Sequence, residues 1–285
     1  MLVFLGYVIV LASVFGGFAL TGGHLGAMYQ PTELLIIGGG AVGAFVVGNP
    51  FGTLKATARS LPLILKASKC DKALYLELMG LLYEVLNKAR KDGLMALEND
   101  VEHPYDSPLF TRYPKVISSH RLMEFITDYL RLMVSSNLNS IEIEGLMEQE
   151  IETHHHEAQV PMHAIQRVGD GLPAFGIVAA VMGVVHTMQS VGVPPAELGR
   201  LIAHALVGTF LGILLSYGFV SPLAGRLEQN VDESMKLLDC IKVTLLASLN
   251  NYPPAIAIEF GRKVLYAIER PSFDELDAHL RQVRR

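Results

Sequence analysis

Tryptophan is missing from this chain and cysteine nearly so. The two cysteines, Cys70 and Cys240, match no metal or redox spacing, and both read as free thiols on cytosolic segments. Without Trp, any interfacial aromatic belt must come from Tyr and Phe. Charge is scarce as well: charged residues make up 18% of the 285 positions against 51% hydrophobic. With a mean hydropathy of +0.35, the chain is too apolar for an ordinary soluble domain. Basic residues are not in excess, since 23 Lys and Arg face 28 Asp and Glu for a net charge of -5. That modest net charge argues against a nucleic-acid binder, which would normally show a basic face. Nucleophile elbow, H-E-x-x-H and P-loop are all absent, so neither an enzyme nor a bound cofactor is expected.

What is present is a set of long uncharged runs. Leu2 to Leu20 carries no charge. A cleaved signal peptide would show a basic start, a shorter apolar core and an A-x-A-like exit, so this run reads as a retained first span. A short polar turn, Thr21 to Glu33, leads to a second run from Leu34 that stays uncharged until Lys55. The third runs from Gly171 to about Val193 and the fourth from Leu201 to Leu223, joined by Pro194-Pro-Ala-Glu-Leu-Gly-Arg200. Each is long enough as a helix to cross a ~30 Å hydrocarbon core. The last two should form an antiparallel hairpin.

The second run contains a literal G-x-G-x-x-G at Gly38, Gly40 and Gly43 after a strand-like Leu-Leu-Ile-Ile. A dinucleotide fold also needs an acid on the ribose about 20 residues on. Here Lys55, Arg59, Lys66 and Lys69 follow, and no acid occurs before Asp71. Gly39 and Gly43 read instead as a small-xxx-small pair for close helix approach.

Charge is concentrated elsewhere. Of the 23 Lys and Arg, 13 lie in 55–170 and 9 after Leu223, leaving only Arg200 for the two short loops. The flanking Lys55, Arg59, Arg167 and Arg226 agree, so both termini and the large insertion should be cytoplasmic. The expected organisation is therefore an all-α integral membrane protein. Residues 1–54 hold spans one and two, 55–170 a helical cytoplasmic domain, 171–223 spans three and four, and 224–285 cytoplasmic C-terminal helices. In the insertion, Asp71 to Asn99 shows helical apolar spacing at Leu74, Leu78, Leu81, Leu82, Val85 and Leu86, with Glu84 and Lys88 placed as an i,i+4 pair. Pro104, Pro108 and Pro114 interrupt it before helix resumes over His120 to Ser136 and Ser140 to Arg167. After the fourth run, Val231, Met235, Leu238 and Ile241 form one helical stripe, and Ser272 caps a short last helix.

Helical spacing puts Gly176, Ala179, Ala180, Gly183 and Thr187 on one face of the third run, and Ala205, Gly208, Thr209, Gly212 and Ser216 on one face of the fourth. Such stripes serve either plain helix packing or the lining of a narrow path beside a partner helix. Pro173 and Pro222 each free a backbone carbonyl near the cytoplasmic end of a span, as a kink or as a hinge. The spans as bounded above contain no Asp or Glu, and His186 and His204, toward the outer surface, are their only groups titrating near neutral pH. An ion path normally needs an intramembrane ionisable carrier, so a proton conductor of this kind would take its carboxylate from a partner chain. His154, His155 and His156 are consecutive on a helix, point in different directions and read as a solvated surface rather than a metal site.

Several strings then carry a resemblance that covers essentially the whole chain. They are the four-span plan with a long insertion after span two, Lys88-Ala-Arg90-Lys-Asp-Gly-Leu-Met-Ala-Leu-Glu98, Gly169-Asp-Gly-Leu-Pro173-Ala-Phe-Gly-Ile-Val, and Ser221-Pro222-Leu. Together they resemble the MotA family, the A subunits of the bacterial flagellar stator, within the wider MotA/TolQ/ExbB group of proton channels. The resemblance implies a homopentamer in the bacterial inner membrane, surrounding two copies of a MotB-type B subunit whose membrane aspartate carries the ion. It implies that Arg90 and Glu98 engage the rotor protein FliG. It further implies that Pro173 and Pro222 couple ion flow to movement of the cytoplasmic domain, and that Thr209 and Tyr217 face the path near the B-subunit helix. Sodium-driven relatives tend to carry Thr where this chain has Ala180, which leans the ion toward H+.

The residues fit beside that reading. Eight positions on one helix amount to ~80° of rotation, so Arg90 and Glu98 would project from one side, where exposed charges otherwise form an ordinary solvated face. An ExbB- or TolQ-like energiser of an outer-membrane system is the alternative. It would share the channel but usually has three spans and no reason to repeat the Arg90/Glu98 segment. A nucleotide-binding membrane oxidoreductase would require a bound flavin or nicotinamide, which the missing acid after Gly43 argues against.

Overall fold

A computed structural model describes residues 2–65, 70–136, 138–189, 192 and 194–283. The expected end of the third run near Val193, and Lys66 and Lys69 of the basic stretch, lie outside the described residues. Twelve α-helices are found among the described residues, and no strand. In chain order they are α1 (Leu2–Leu20), α2 (Pro31–Val47), α3 (Phe51–Leu65), α4 (Lys72–Asp92), α5 (Glu98–Glu102), α6 (Pro114–Ile117), α7 (His120–Ser135), α8 (Ser140–Met188), α9 (Pro195–Leu215), α10 (Ser221–Leu249), α11 (Pro254–Val264) and α12 (Phe273–Val283). Short 3-10 turns occupy Leu25–Met28 and Leu94–Leu97, and a π turn Ser216–Val220 joins α9 to α10. Among the described residues, four stretches are long and apolar enough to cross a membrane: Leu2–Leu20, Leu25–Val47, and parts of Ser140–Met188 and of Pro195–Leu249.

Contacts divide the chain into two compact units. One takes residues up to 67 together with 158–229, the other 68–157 together with 230–285. Helices α8 and α10 each contribute to both. The contact units thus change over within helices, at other residues than the charge-based boundaries, because a helix does not stop where the chain leaves hydrocarbon.

The first unit has little interior of its own. Helix α1 buries no residue, since apolar side chains suited to lipid need not be covered by protein. Its core is thin: Ile37 and Ala41 of α2 meet Leu172 and Ala179 of α8 and Val207 and Leu211 of α9. A second cluster gathers Ile64, Met162, Ile165, Ala224 and Leu227. The second unit has a conventional core in which Leu74, Leu78, Leu81, Leu82, Val85 and Leu86 of α4 are buried with Phe125 and Ile126 of α7 and Leu238 and Ile241 of α10. The stripe expected at Val231, Met235, Leu238 and Ile241 is buried.

Local sequence signals explain the ends of elements. Asp71 caps α4 by accepting a 2.7 Å bond from the Leu74 amide. Ser272 and Glu275 form a reciprocal capping box before α12, the Ser272 amide donating to Glu275 at 2.7 Å and the Glu275 amide to Ser272 Oγ at 3.2 Å. Pro195 opens α9, so 195–200, expected as a turn between spans, belongs to the helix instead; Pro is favoured at a helix's first position.

Candidate functional site

The charged pair comes first. The expectation that Arg90 and Glu98 share one helix is wrong. Helix α4 ends at Asp92, Gly93 adopts φ 87° and ψ 159°, a 3-10 turn follows, and Glu98 starts α5. The two side chains are therefore not related by ~80° of rotation on one helix. The signal was present as a glycine directly after Arg90-Lys-Asp, which is a helix stop, but apolar periodicity ran on to mask it. Both side chains are exposed, and neither has an ion-pair partner among the described residues. Arg90 borders a groove of about 320 Å³ lined also by Leu86, Leu94, Met133 and Tyr252.

The charges next to them are engaged. Lys88 does not pair with Glu84, as its spacing suggested. It reaches Asp100 at 2.5 Å, while Glu84 takes Arg112 at 2.7 Å. Asp100 is buried and also accepts from Ser107 Oγ at 2.6 Å. This Lys88–Asp100–Ser107 network ties the end of α4 across the Gly93 break to α5. A buried carboxylate with two donors is well satisfied, so the segment bearing Arg90 and Glu98 is braced while those two side chains remain unpaired.

The small-residue stripes face each other. A Cβ on Gly176 would lie 2.8 Å from the Gly208 carbonyl and 3.1 Å from Gly212 Cα, and one on Gly183 would lie 2.8 Å from Ala205 Cβ. Gly176, Ala179, Gly183, Ala205, Gly208 and Gly212 are thus the contact between α8 and α9 of one chain, which is helix packing of the kind small residues permit. Ala180 and Thr209, next to the seam, are half-exposed, and Tyr217 is 67% exposed. Thr187 turns inward and donates to the Gly183 carbonyl at 2.9 Å.

The two prolines lie at related places. Pro173 is inside α8, and the residue whose carbonyl it frees, four back, is Gly169. A Cβ on Gly169 would lie 2.8 Å from Oγ of Ser221, the residue before Pro222. Ahead of Pro222, the helix widens into the π turn Ser216–Val220, a distortion frequent at functional sites. Tyr7 of α1 donates to the Phe219 carbonyl at 3.0 Å, with its ring 4.8 Å from that of Phe219. A freed carbonyl in a membrane needs such a donor.

Two glycine expectations change. Gly38, Gly40 and Gly43 all lie within α2, with no strand before them, so the strand–turn–helix context of a dinucleotide motif is missing. The close approach is made by Gly40, which receives the Phe175 ring; Gly39 and Gly43 have open space within this chain. The three consecutive histidines do diverge: His154 is 3.4 Å from Glu150, His155 3.3 Å from Asp232 and His156 3.7 Å from Glu152.

One functional candidate was missed. The second apolar stretch starts at Leu25 rather than Leu34 and includes Glu33, so the statement that the spans hold no Asp or Glu is incorrect. Glu33 sits in the first turn of α2 and is 9% exposed. Pro31-Thr-Glu33 is a helix-start signal, with Pro at the first position and an acid in the first turn, so its place in the helix was legible. Its burial was not.

Comparison with known proteins follows the same outline. Residues 4–93 match the family model described as motility protein A N-terminal, and 118–239 match that of the MotA/TolQ/ExbB proton channel family. A protein named motility protein A from Salmonella typhimurium is 56% identical across 100% of this chain and 96% of its own length. The protein of that name from Escherichia coli is 55% identical over the same shares. Chemotaxis protein LafT of Vibrio parahaemolyticus is 41% identical over 97% of each chain. Among solved structures, a chain of the flagellar MotAB stator complex of Bacillus subtilis is similar with a TM-score of 0.75 at 25% identity, covering 96% of this chain and 98% of that one. A chain of C. jejuni MotAB reaches a TM-score of 0.79 at 21% identity over 95% and 98%, a likeness of fold.

Proposed function

This chain belongs to the MotA/TolQ/ExbB proton channel family, and on that premise we propose that it is the A subunit of a flagellar stator. In this reading it lies in the bacterial inner membrane with both termini cytoplasmic and assembles as a pentamer around a B-subunit dimer of MotB type. It conducts H+ with the help of the partner's membrane aspartate and transmits torque to the rotor protein FliG. It performs no enzymatic step and needs no cofactor.

One observation carries the rotor side: Arg90 and Glu98 stand exposed, without an ion-pair partner among the described residues, on a segment braced by Lys88, Asp100 and Ser107. Unpaired surface charges on a rigid mount suit long-range, salt-sensitive complementarity between two moving parts, where deep burial would slow release. The channel side rests on α8 and α9, whose seam is closed by glycine and alanine and beside which Ala180 and Thr209 remain half-exposed. A proton crossing ~150 mV releases about 3.5 kcal/mol, at ~2.3 kcal/mol per 100 mV, so successive passages can drive successive steps. Protonating the partner's aspartate removes its charge and alters its fit beside Thr209. The strain then passes through the Pro173 and Pro222 region, where Gly169 abuts Ser221.

The test is motor torque in cells carrying Arg90→Glu or Glu98→Lys, each then combined with opposite reversals on the rotor. Single reversals are expected to reduce torque and paired ones to restore it, and the effect of each single change should shrink at raised ionic strength. Intact motility on deletion of the gene, with outer-membrane import or integrity lost instead, would replace this reading with that of an outer-membrane energiser.

A further inference from the structure

Among the described residues of the membrane unit, Glu33 is a buried carboxylate that helix packing alone does not explain. Its Oε2 is buried and has no hydrogen-bond partner among the described residues. It is aimed into the seam between α8 and α9. A Cβ on Gly208 would lie 2.6 Å from Oε2, and one on Gly183 would lie 3.7 Å from Oε1. Gly208 is therefore needed twice, for the close approach of α8 and for the space this carboxylate occupies. Favourable interaction with the start of α2 accounts for an acid in the first turn, but such an acid usually stays in water; this one is nine-tenths buried.

The position along the seam is informative. Gly183 precedes the end of α8 at Met188 by five residues and Ala180 by eight, which is ~7.5 Å and ~12 Å at 1.5 Å per residue. The backbone nitrogen of Ala180 is among the atoms that a Cβ on Gly208 would meet, at 3.1 Å, and Thr209 is the next residue after Gly208. Glu33 thus lies at the level of Ala180 and Thr209.

An ionised carboxylate without a partner is costly at this depth, so such a group either takes up a proton or gathers a cation. A metal cation is held by several oxygens. The facing residues are Gly183, Ala205 and Gly208, which have no side-chain oxygen, and the nearby Thr187 hydroxyl is already bonded to the Gly183 carbonyl. A proton needs only one oxygen. Other titratable groups toward this end of α8 and α9 and ahead of α2 are His204 on α9, half-buried, Glu197 and Arg200 at the start of α9, both exposed and 4.0 Å apart, His186 on α8, exposed, and His24 and Tyr29, exposed; none makes an ion pair or hydrogen bond to Glu33 among the described residues.

Resting on the stator reading above, we propose that Glu33 is a proton-holding group of the ion path, supplied by this chain in addition to the partner's carboxylate. A proton from the outer aqueous side binds Oε2 and neutralises it. It leaves when the partner's carboxylate, ionised, accepts it, which regenerates the Glu33 carboxylate with no net change in the chain.

The experiment compares wild type, Glu33→Gln and Glu33→Asp in the complex with the B subunit, reading motor torque and proton flux from acidic to alkaline outer pH, with and without sodium. Glu33→Gln keeps size and polarity but cannot titrate. It should lower flux by about a hundredfold, the lower end of what a positioned proton-transfer group contributes, and abolish the dependence on outer pH. Glu33→Asp should recover part of the flux with a displaced pH profile, and sodium should have no effect on any of them. An unchanged flux and pH profile in Glu33→Gln, or a sodium requirement, would overturn the proposal. If instead the wild-type chain supports neither motility nor flux, it is the stator reading that fails. A second measurement covers a variant that does not assemble: a hydrophobic carbodiimide, which attacks protonated carboxyls, applied to the wild-type complex. Labelling of Glu33 that falls as outer pH rises supports the proposal. No labelling, or labelling indifferent to pH, marks a structural carboxyl and overturns it.

Discussion

At the scale of single residues, this chain separates charges that are used internally from charges that are not. Asp100 holds Lys88 and Ser107, and Glu84 holds Arg112, while Arg90 and Glu98 a few positions away have no ion-pair partner among the described residues. One thiol is closed off by burial. Cys240 lies on α10 with no exposed surface, and burial pushes its thiol up to about 12. The thiolate is the reactive form, so Cys240 should resist iodoacetamide at mildly alkaline pH in the folded chain and become modified once a denaturant opens the second unit. Mass spectrometry of the modified peptide checks this; rapid labelling of Cys240 in the native protein would show that the α10 face is not closed.

At the scale of elements, the decisive features are places where helices deviate. Gly93 has φ 87° and ψ 159°, a region essentially reserved for glycine, and forcing another residue there costs about 1–3 kcal/mol. A Gly93→Ala variant should therefore keep its membrane assembly but lose torque, since the strain would shift the turn between Arg90 and Glu98. Torque in motile cells, with co-purification of the partner as the control for assembly, measures it; normal torque would mean that the break does not position the charged pair. The π turn Ser216–Val220 is the corresponding feature in the other unit, where Tyr7 serves the Phe219 carbonyl. Both irregularities adjoin residues proposed above for coupling or for the rotor.

At the scale of the whole molecule, the two units are built on different balances. The first leaves α1 uncovered, as suits lipid, whereas the second has a continuous core and surface ties between distant segments. Lys115 and the cap bond from the Leu74 amide hold Asp71 below the usual aspartate range, and Lys72 and the Ser272 amide do the same for Glu275. For a carboxylate lowered on folding, the stabilisation is fully present above its unfolded value and is lost as pH falls through its lowered folded value. The second unit should thus soften below about pH 4, the ordinary carboxylate range, and the slope should be modest because both ties are exposed. Thermal melting of the full chain in detergent, with Asp71→Asn showing a shallower loss in acid than wild type, is the check; identical slopes would remove these ties from the account.

Much of this was legible in the residues alone. Four long apolar stretches, an all-helical fold, the buried face of α4 and the stripe on α10 follow from composition and from a period of 3.6, which are local properties that the chain carries before it folds. The strings around Arg90, Pro173 and Pro222 carried the family. What tertiary structure decided was which groups meet. Spacing put Glu84 beside Lys88 and Arg90 in line with Glu98, but packing sent Lys88 to Asp100 and broke the helix at Gly93. Spacing also showed two smooth stripes without saying that they close on each other. Most of all, Glu33 read as a turn residue in water, because its burial requires Gly183 and Gly208, some 150 or more positions away in sequence, to leave room beside it. Burial of a polar group is settled by distant neighbours, and no local pattern records them.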